Sequence, residues 1–367
     1  MVYTPLAALF PTGDPPPVEA VNRVVLIRPC CIGDVVMATA ALDALRRLYP
    51  KASITWAVGG WSRRVVEGHN HLDAVQDTGP AANPARGPRG VWAFARSLRA
   101  GDYDLAVSLV RSPWMSAAVW LSGIRYRAGL DSLGRGFGYN IRATVDPAHP
   151  RHEAQIYLDV IARLGGHEAD CYPTVPVRVD DVASVRELLA ARGVSGDYVV
   201  INPNGGNNPG MMMDAKRWPP PHFAALADAL VAALGVKIVL LGGPDDTRTL
   251  DTVQAAMQAE AVPFSGVLTF QQIAALAQGS RAYVGNDTGL THMAAAAGAR
   301  TAMILGPSDP ARYGPFTPPG QSIALWQPVE LGMGGVGVTG TPQHWDWARD
   351  GIGVDAVIEA VTAFINP

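Results

Sequence analysis

Cysteine is scarce in this chain, and its positions exclude two kinds of stabilising site. The 367 residues include three cysteines, of which Cys30 and Cys31 are adjacent and Cys171 is distant. This spacing provides neither the disulfide framework of a small secreted domain nor the ligand set of a zinc site. A reducing cytoplasm is therefore the expected location.

Long apolar runs are also missing. No stretch of about 18 uninterrupted apolar residues occurs, so a membrane-spanning helix is not expected. The first twenty residues have no basic segment and contain Pro15-Pro16-Pro17. Since a signal peptide opens with basic residues and continues as an apolar helix, we expect none here.

Three motifs of common enzyme classes are absent. A dinucleotide-dependent oxidoreductase carries Gly-x-Gly-x-x-Gly after its first strand, whereas residues 29–34 here read PCCIGD. The phosphate-binding Gly-x-x-x-x-Gly-Lys-[Ser/Thr] and the zinc-binding His-Glu-x-x-His do not occur. His149 and His152 lie in a predicted loop without further clustered ligands, so we predict no metal site.

What the chain does contain indicates an α/β protein of two domains. It is 48% hydrophobic and 17% charged, which suits two cores of roughly 170 residues each. Strands and helices alternate in both halves, a pattern typical of parallel sheets covered on both faces. The predicted domains are 1–178 and 179–350, and a final helix in 351–367 is expected to pack back on the first domain. Strands are predicted near Val24, Ile54, Leu105, Tyr126, Val199, Ile238, Ala282 and Met303, and helices near Val35, Trp61, Val91, Trp114 and Ala154.

The segment 284–298, VGNDTGLTHMAAAAG, predicts a strand, a turn and an Ala-rich helix. Asp287 or Thr288 can cap that helix, and Gly289 allows a ligand to approach the backbone. The first helical N–H groups, Leu290 included, favour an anion, and His292 would face it one turn later. An ordinary capped strand-to-helix connection explains the same residues.

Near the N-terminus, a strand over Arg23–Arg28 is followed by the loop 29–34 and a helix from about Val35 to Tyr49. Gly33 and Asp34 close this loop. Asp34 can be a helix cap, or a general base at the carboxyl end of the first strand, where open parallel sheets bind ligands.

The segment 202–219, NPNGGNNPGMMMDAKRWP, is rich in Gly, Asn and Pro and predicts a flexible loop without regular structure. Asn204 and Gly205 in this loop are candidates for a position near a bound substrate. Lys216, one of three lysines in the chain, is either a solvated surface group or a phosphate ligand.

Taken together, these segments resemble glycosyltransferase family 9, the heptosyltransferases of lipopolysaccharide assembly. The resemblance covers nearly the whole chain. The matching elements are Gly33-Asp34 before a helix, Lys216-Arg217-Trp218-Pro219, Gly242-Gly243-Pro244-Asp245-Asp246, and Asp287-Thr288-Gly289-Leu290-Thr291-His292-Met293-Ala294-Ala295.

The resemblance implies a role for each matched position. Asp34 matches the base that takes the acceptor proton, and Lys216 matches a ligand of the donor phosphate. Thr288, Gly289 and Leu290 match the helix N-terminus that holds the diphosphate. The remaining matched residues are expected close to the donor: Asp245, Asp246, Asp287 and His292. Either Asp245 or Asp246 is expected beside the nucleotide ribose.

The family also implies the GT-B architecture, in which two Rossmann-like domains face each other across a cleft, and an inverting, metal-independent transfer without a cofactor. The first expectation is heptose moved from ADP-heptose to a hydroxyl of a lipopolysaccharide core or related cell-surface glycan. Another nucleotide-diphosphate sugar with a different acceptor, or a non-catalytic sugar-nucleotide-binding protein, remains an alternative. No nucleic-acid partner is expected, and membrane contact is expected to be peripheral at most, at the inner face, through a lipid-linked acceptor.

Two segments depart from the family pattern. Met211-Met212-Met213 and extra Gly and Asn residues precede Lys216, and the tail 327–350 lacks the cysteines of many relatives. The identities of donor and acceptor are therefore less constrained than the reaction class.

Charge is divided unevenly along the chain. Residues up to Arg178 carry a net charge of +4 and the remainder −7, within a total of −3. The basic half is expected to hold the acceptor, and Gly134, Gly136 and Gly138 predict a mobile docking loop there. The arginines predicted to bind an acidic acceptor are Arg63, Arg64, Arg111 and Arg135. The alternative for most such arginines is a solvent-exposed position on a helix without a ligand.

Overall fold

The structure is a computed structural model that describes residues 3–208, 211–329 and 345–366. Its contacts divide the chain into two units, Met1–Pro173 and Thr174–Pro367. Each unit is built around one six-stranded parallel sheet.

In the first unit, short apolar runs form central strands that are buried on both faces, as is typical of parallel sheets. The strand order is β3-β2-β1-β4-β5-β6. The strands are β1 (Arg23–Ile27), β2 (Ser53–Val58), β3 (Ala74–Asp77), β4 (Leu105–Ser108), β5 (Tyr126–Asp131) and β6 (Ile141–Thr144). The helices are α1 (Thr4–Ala8), α2 (Ile32–Leu48), α3 (Gly87–Ala100), α4 (Pro113–Leu121) and α5 (Glu153–Ala162).

The second unit repeats this topology, with the order β11-β10-β7-β12-β13-β14 and a separate two-stranded pair. Its strands are β7 (Tyr198–Asn202), β8 (Asn207–Asn208), β9 (Met211–Met212), β10 (Lys237–Gly242), β11 (Ala261–Ser265), β12 (Ala282–Asn286), β13 (Thr301–Ile304) and β14 (Ser322–Leu325). Its helices are α6 (Val179–Ala191), α7 (Pro220–Leu234), α8 (Thr247–Ala256), α9 (Phe270–Gln278), α10 (Gly289–Ala296), α11 (Pro310–Tyr313), α12 (Trp347–Asp350) and α13 (Val354–Ile365).

Both sheets have a point where the strand order reverses, and this point positions the candidate site residues. In the first sheet it lies between β1 and β4, and in the second between β7 and β12. Loops leave the carboxyl ends of these strands in opposite directions, which opens a crevice that ligands use in such sheets. Asp34 follows β1, while Asn204 follows β7 and Asp287 follows β12.

The final helix packs in the second unit. Val357, Val361 and Ile365 lie on one side of α13 and are buried in a core cluster with Phe223 and Leu230 of α7. The expected contact of this helix with the first domain stays a prediction. Residues spaced four apart form an apolar stripe, and α7 covers it.

Three local expectations also differ from the structure. Helix α2 begins at Ile32, so Asp34 lies inside its first turn and Cys31 is the residue before the helix. No long helix forms near Trp61, where a short 3-10 turn covers Arg63–Val65. The segment 202–219 is not wholly irregular, because β8 pairs with β9 and a 3-10 turn covers Asp214–Lys216.

The cysteines contribute no link between distant segments of the chain. The Cys30 and Cys31 sulfurs are bonded to each other, and Cys171 is a buried free thiol. A bond between adjacent residues closes no long loop, so the predicted absence of a disulfide framework holds for these three residues. Among the described helices, none combines the length and apolar character needed to cross a membrane.

Candidate functional site

The N-terminus of α10 offers unpaired backbone donors at the point where the second sheet reverses. Thr288 precedes the helix, and its hydroxyl accepts a hydrogen bond from the Thr291 N–H at 3.4 Å. Within the described part of the chain, the N–H groups of Gly289 and Leu290 have no recorded acceptor. Because a helix N-terminus also carries the positive end of the dipole, this position favours a phosphate.

Two cationic or basic side chains meet the carboxylate that precedes this helix. Lys216 Nζ lies 2.5 Å from Asp287 Oδ2, and His292 Nε2 lies 3.6 Å from Asp287 Oδ1. Asp287 and His292 are buried, and the Lys216 side chain keeps 15% of its surface exposed. The lysine is therefore held beside the helix N-terminus and still accessible to a ligand.

The charge state of Asp287 follows from these neighbours. Burial by itself raises its pKa, but the charge of Lys216 and the contact with His292 outweigh burial and hold the pKa well below its ordinary value. Asp287 is consequently an anion at neutral pH. It orients Lys216 toward α10.

The loop after β7 packs directly against the start of α10. A Cβ added at Gly205, where φ is +130°, would lie 1.8 Å from the Thr288 side chain, so only glycine fits this contact. Asn204 is buried and donates from Nδ2 to the Leu241 carbonyl at 3.4 Å. These contacts place both loop residues at the edge where the donor site is predicted.

Asn286 joins three segments of this site and was not singled out from the sequence. Its side chain is fully buried, accepts from the Trp218 N–H at 3.0 Å, and donates to the carbonyls of Pro203 and Asn204 at 3.0 and 3.2 Å. An Asn at the end of a buried strand is the signal that could have identified it, because a buried amide requires partners.

The two acids after β10 have different surroundings. Asp246 Oδ2 accepts a hydrogen bond from the Gly243 N–H at 2.8 Å and so stabilises its own 3-10 turn, Pro244–Asp246. Asp245 is exposed. Of the two carboxylates, that of Asp245 is the more accessible to a ribose.

Asp34 lies in a separate polar cluster of the first unit, where Gly33 precedes it in the first turn of α2. Its Oδ2 pairs with Arg28 Nη2 at 2.6 Å and accepts from the Cys31 N–H at 3.3 Å. Its Oδ1 accepts from the Tyr157 hydroxyl at 2.9 Å. Burial raises the pKa of Asp34, but Arg28 and the hydrogen bonds lower it below its ordinary value overall.

The four arginines predicted for the acceptor differ in their surroundings. Arg111 pairs with the buried carboxylate of Glu153, so its charge is already neutralised inside the unit. Arg63 pairs with Glu67 at 2.5 Å and Asp77 at 3.4 Å. Arg135 is exposed in the Gly-rich loop, and Arg64 is also exposed.

The Gly-rich loop makes close contacts with its neighbours, and its mobility stays a prediction. The Gly136 N–H donates to Asp131 Oδ1 at 3.0 Å, and the Gly138 N–H donates to Ser116 Oγ at 2.6 Å. A Cβ at Gly138 would lie 2.3 Å from the Ser116 carbonyl oxygen. At Gly138, the absence of a side chain allows the backbone to pack tightly against α4.

Among the described residues, no group of three or more His, Cys, Asp and Glu side chains is arranged as a metal site. Metal independence stays a prediction. Both segments that depart from the family pattern are described only in part. Residues 209–210, directly before Met211-Met212-Met213, and residues 330–344 of the tail 327–350 lie outside the described residues.

Two doubly wound parallel domains define the fold class, which is that of the GT-B glycosyltransferases. The structure of a family 9 glycosyltransferase from Veillonella parvula superposes with a TM-score of 0.76 at 23% identity, covering 94% of this chain and 97% of that one. ADP-heptose lps heptosyltransferase II of E. coli gives a TM-score of 0.72 at 21% identity over 94% and 98% of the two chains.

The chain belongs to glycosyltransferase family 9 (heptosyltransferase), since the sequence model of that family matches residues 91–328. Lipopolysaccharide heptosyltransferase 2 of Escherichia coli is 27% identical over 81% of this chain and 85% of its own length. Lipooligosaccharide heptosyltransferase 2 of Haemophilus ducreyi is 26% identical over 81% and 86%. The predicted family, α/β fold class and enzyme class are confirmed.

Proposed function

We propose that the protein transfers heptose from ADP-heptose to a hydroxyl group of a lipopolysaccharide-core glycan, with inversion at the sugar carbon and without a metal. The observation that carries the donor half of this proposal is the placement of Lys216 beside the open N-terminus of α10. The names of the relatives support heptose as the sugar and lipopolysaccharide or lipooligosaccharide as the acceptor class.

The donor half of the mechanism concerns the leaving diphosphate. As the bond between the sugar carbon and the phosphate oxygen breaks, negative charge grows on ADP. The Gly289 and Leu290 N–H groups, with Lys216, are suited to stabilise that growing charge more strongly than the charge of the intact donor. Without a metal, these fixed dipoles and this lysine supply the electrostatic stabilisation.

The acceptor half concerns Asp34. A carboxylate has about four acceptor positions, and three on Asp34 are taken by Arg28, Cys31 and Tyr157. The remaining position is on Oδ1, which we propose as the atom that takes the acceptor proton. The lowered pKa keeps Asp34 ionised at neutral pH, as a general base must be.

Donor identity is tested first by ligand stabilisation. The purified chain is heated with ADP, UDP, GDP or NAD at equal excess, because a ligand at 100 times its Kd adds about 2.7 kcal/mol of stability. Preferential stabilisation by ADP is expected. Stabilisation by UDP or GDP alone would keep the transferase and change the donor, whereas a response to NAD alone would overturn the proposal.

Activity is then measured as ADP release from ADP-heptose in the presence of a heptose-free inner-core glycan, with and without EDTA. We expect acceptor-dependent release that EDTA leaves unchanged, and a product whose anomeric configuration, read by NMR, is inverted relative to the donor. ADP binding without any acceptor-dependent release would favour a sugar-nucleotide-binding protein. Loss of release in EDTA would contradict metal independence.

A further inference from the structure

Helix α3 presents an exposed tryptophan between two arginines. Trp92 is 63% exposed, and Arg89 and Arg96, three residues before and four residues after it, are also exposed. Residues with this spacing lie on one side of a helix. The opposite side, with Val91 and Leu98, is buried in the core of the first unit, so the solvent side carries a stripe of aromatic and basic groups.

Further exposed apolar side chains lie on elements connected to α3. Arg99, at the end of α3, donates to the Leu121 carbonyl at 2.6 Å and so ties α3 to the end of α4. Beside Leu121, Trp120 is 43% exposed and its ring contacts Phe10 of the N-terminal segment, with centroids 5.3 Å apart. Leu9, next to Phe10, is 78% exposed. We call these residues the basic aromatic face: Leu9, Arg89, Trp92, Arg96 and Trp120.

The surrounding sequence is strongly basic in a chain whose net charge is −3. Residues 78–101 contain four arginines and no acid, and residues 78–145 contain nine arginines and three aspartates. Asp104 accepts from the N–H groups of Asn22 and Arg23, and Asp131 accepts from the Gly136 N–H. Both carboxylates accept hydrogen bonds from backbone N–H groups. They do not neutralise most of the arginines in this stretch.

We propose that the basic aromatic face docks the first unit on an anionic lipid surface. Tryptophan is favoured at the boundary between lipid headgroups and acyl chains, and arginine is attracted by anionic headgroups. Nucleic acid also attracts arginine, but it gives an exposed leucine such as Leu9 no apolar layer to enter. The combination of exposed aromatic, aliphatic and basic side chains therefore selects a lipid surface.

The inference goes beyond the proposed function. Its test uses neither donor nor acceptor, so the inference and the proposed function can fail independently. The full chain is sedimented with vesicles of one-third phosphatidylglycerol in phosphatidylcholine, and with vesicles of phosphatidylcholine only. We expect binding to the anionic vesicles, a weaker response to the neutral ones, and loss of binding as salt rises. Each basic residue near an anionic membrane surface raises the partition coefficient of the protein about fivefold. Arg89→Gln/Arg96→Gln is therefore expected to weaken binding to the anionic vesicles about 25-fold.

The second variant, Trp92→Ala, separates lipid insertion from simple attraction of charges, and is expected to weaken binding severalfold at constant charge. The charge-matched control is Arg178→Gln/Arg186→Gln, whose exposed arginines lie in the second unit. A cooperative thermal unfolding transition, followed by circular dichroism, verifies that every variant is folded. The inference is overturned if the control weakens binding as much as Arg89→Gln/Arg96→Gln, or if Trp92→Ala has no effect while a DNA duplex displaces the vesicles.

Discussion

The Tyr157 hydroxyl donates a 2.9 Å hydrogen bond to Oδ1 of Asp34, a residue 123 positions earlier in the chain. Arg28 pairs with the other oxygen of the same carboxylate and lies 5.3 Å from the centre of the Tyr157 ring. Both partners favour the ionised form of Asp34. The reactivity of Asp34 therefore depends on Tyr157 of α5 and on Arg28, which directly follows β1, as well as on the first turn of α2.

Removal of the Tyr157 hydroxyl is expected to change the pH dependence of transfer. In Tyr157→Phe, the loss of a hydrogen bond to the carboxylate raises the pKa of Asp34, so the acid limb of kcat/KM moves to higher pH by about one unit. The measurement is the pH profile of ADP release. Tyr139→Phe is the control, since Tyr139 is equally buried but donates to Ser108; equal shifts in both variants would contradict a specific effect on Asp34.

Neutralising Asp34 is expected to remove the base while keeping its contact with the helix start. Asp34→Asn should lower turnover by about two to four orders of magnitude and leave ADP affinity nearly unchanged. Asp43→Asn on the same helix, where Asp43 pairs with Arg47 and His71, is the matched control and should retain turnover. Near-normal turnover of Asp34→Asn would mean that Asp34 stabilises the first turn of α2 and is not the base.

Lys216 is expected to contribute to diphosphate binding through its charge. In Lys216→Met, the Kd for ADP, measured by calorimetry, should rise about 10- to 100-fold. The control is Lys237→Met, because Lys237 is exposed at the start of β10.

Lys216→Met also removes the lysine partner of the buried Asp287, which is destabilising in itself. The double variant Lys216→Met/Asp287→Asn removes both charges and should regain thermal stability but not ADP affinity. If its affinity returns as well, Lys216 acts on the fold and does not contact the phosphate.

The contact between Gly205 and Thr288 is expected to be intolerant of a methyl group. Gly205→Ala must displace either the loop or the start of α10, and the Kd for ADP should rise at least about tenfold. Gly196→Ala is the control: Gly196 also has a positive φ, +101°, but an added Cβ there meets nothing within 4 Å. Equal losses in both variants would mean that backbone strain alone is responsible.

Asp287 is expected to contribute to acid sensitivity. Its folded pKa is lowered, so its stabilising effect is complete above its unfolded pKa of about 3.9 and is lost as pH falls through the folded value. Below about pH 4, the unfolding free energy of the wild type should fall more steeply than that of Asp287→Asn, by up to about 1.4 kcal/mol per pH unit. Parallel curves in urea titrations across this pH range would contradict the lowered pKa.

Local sequence patterns predicted much of the fold because the relevant signals are local. The runs that became β1, β7 and β12 are apolar and bounded by turn residues, which suffices to recognise buried strands. The motif from Asp287 to His292 predicted a capped helix, and the cap is Thr288. The glycines of the loop 134–138 did not predict the close contact at Gly138, because glycine permits both mobility and close packing and only the neighbours show where the backbone packs.

The sequence by itself determined the alternation of strands and helices, the membership in glycosyltransferase family 9 and the residues to examine, since composition, spacing and motifs are properties of the chain alone. Only the tertiary structure decided that Arg111 is neutralised by Glu153, that Asn286 connects three loops and that α13 completes the core around α7. These contacts join residues far apart in the chain. Their partners are chosen by sheet order and helix packing, which no local pattern encodes.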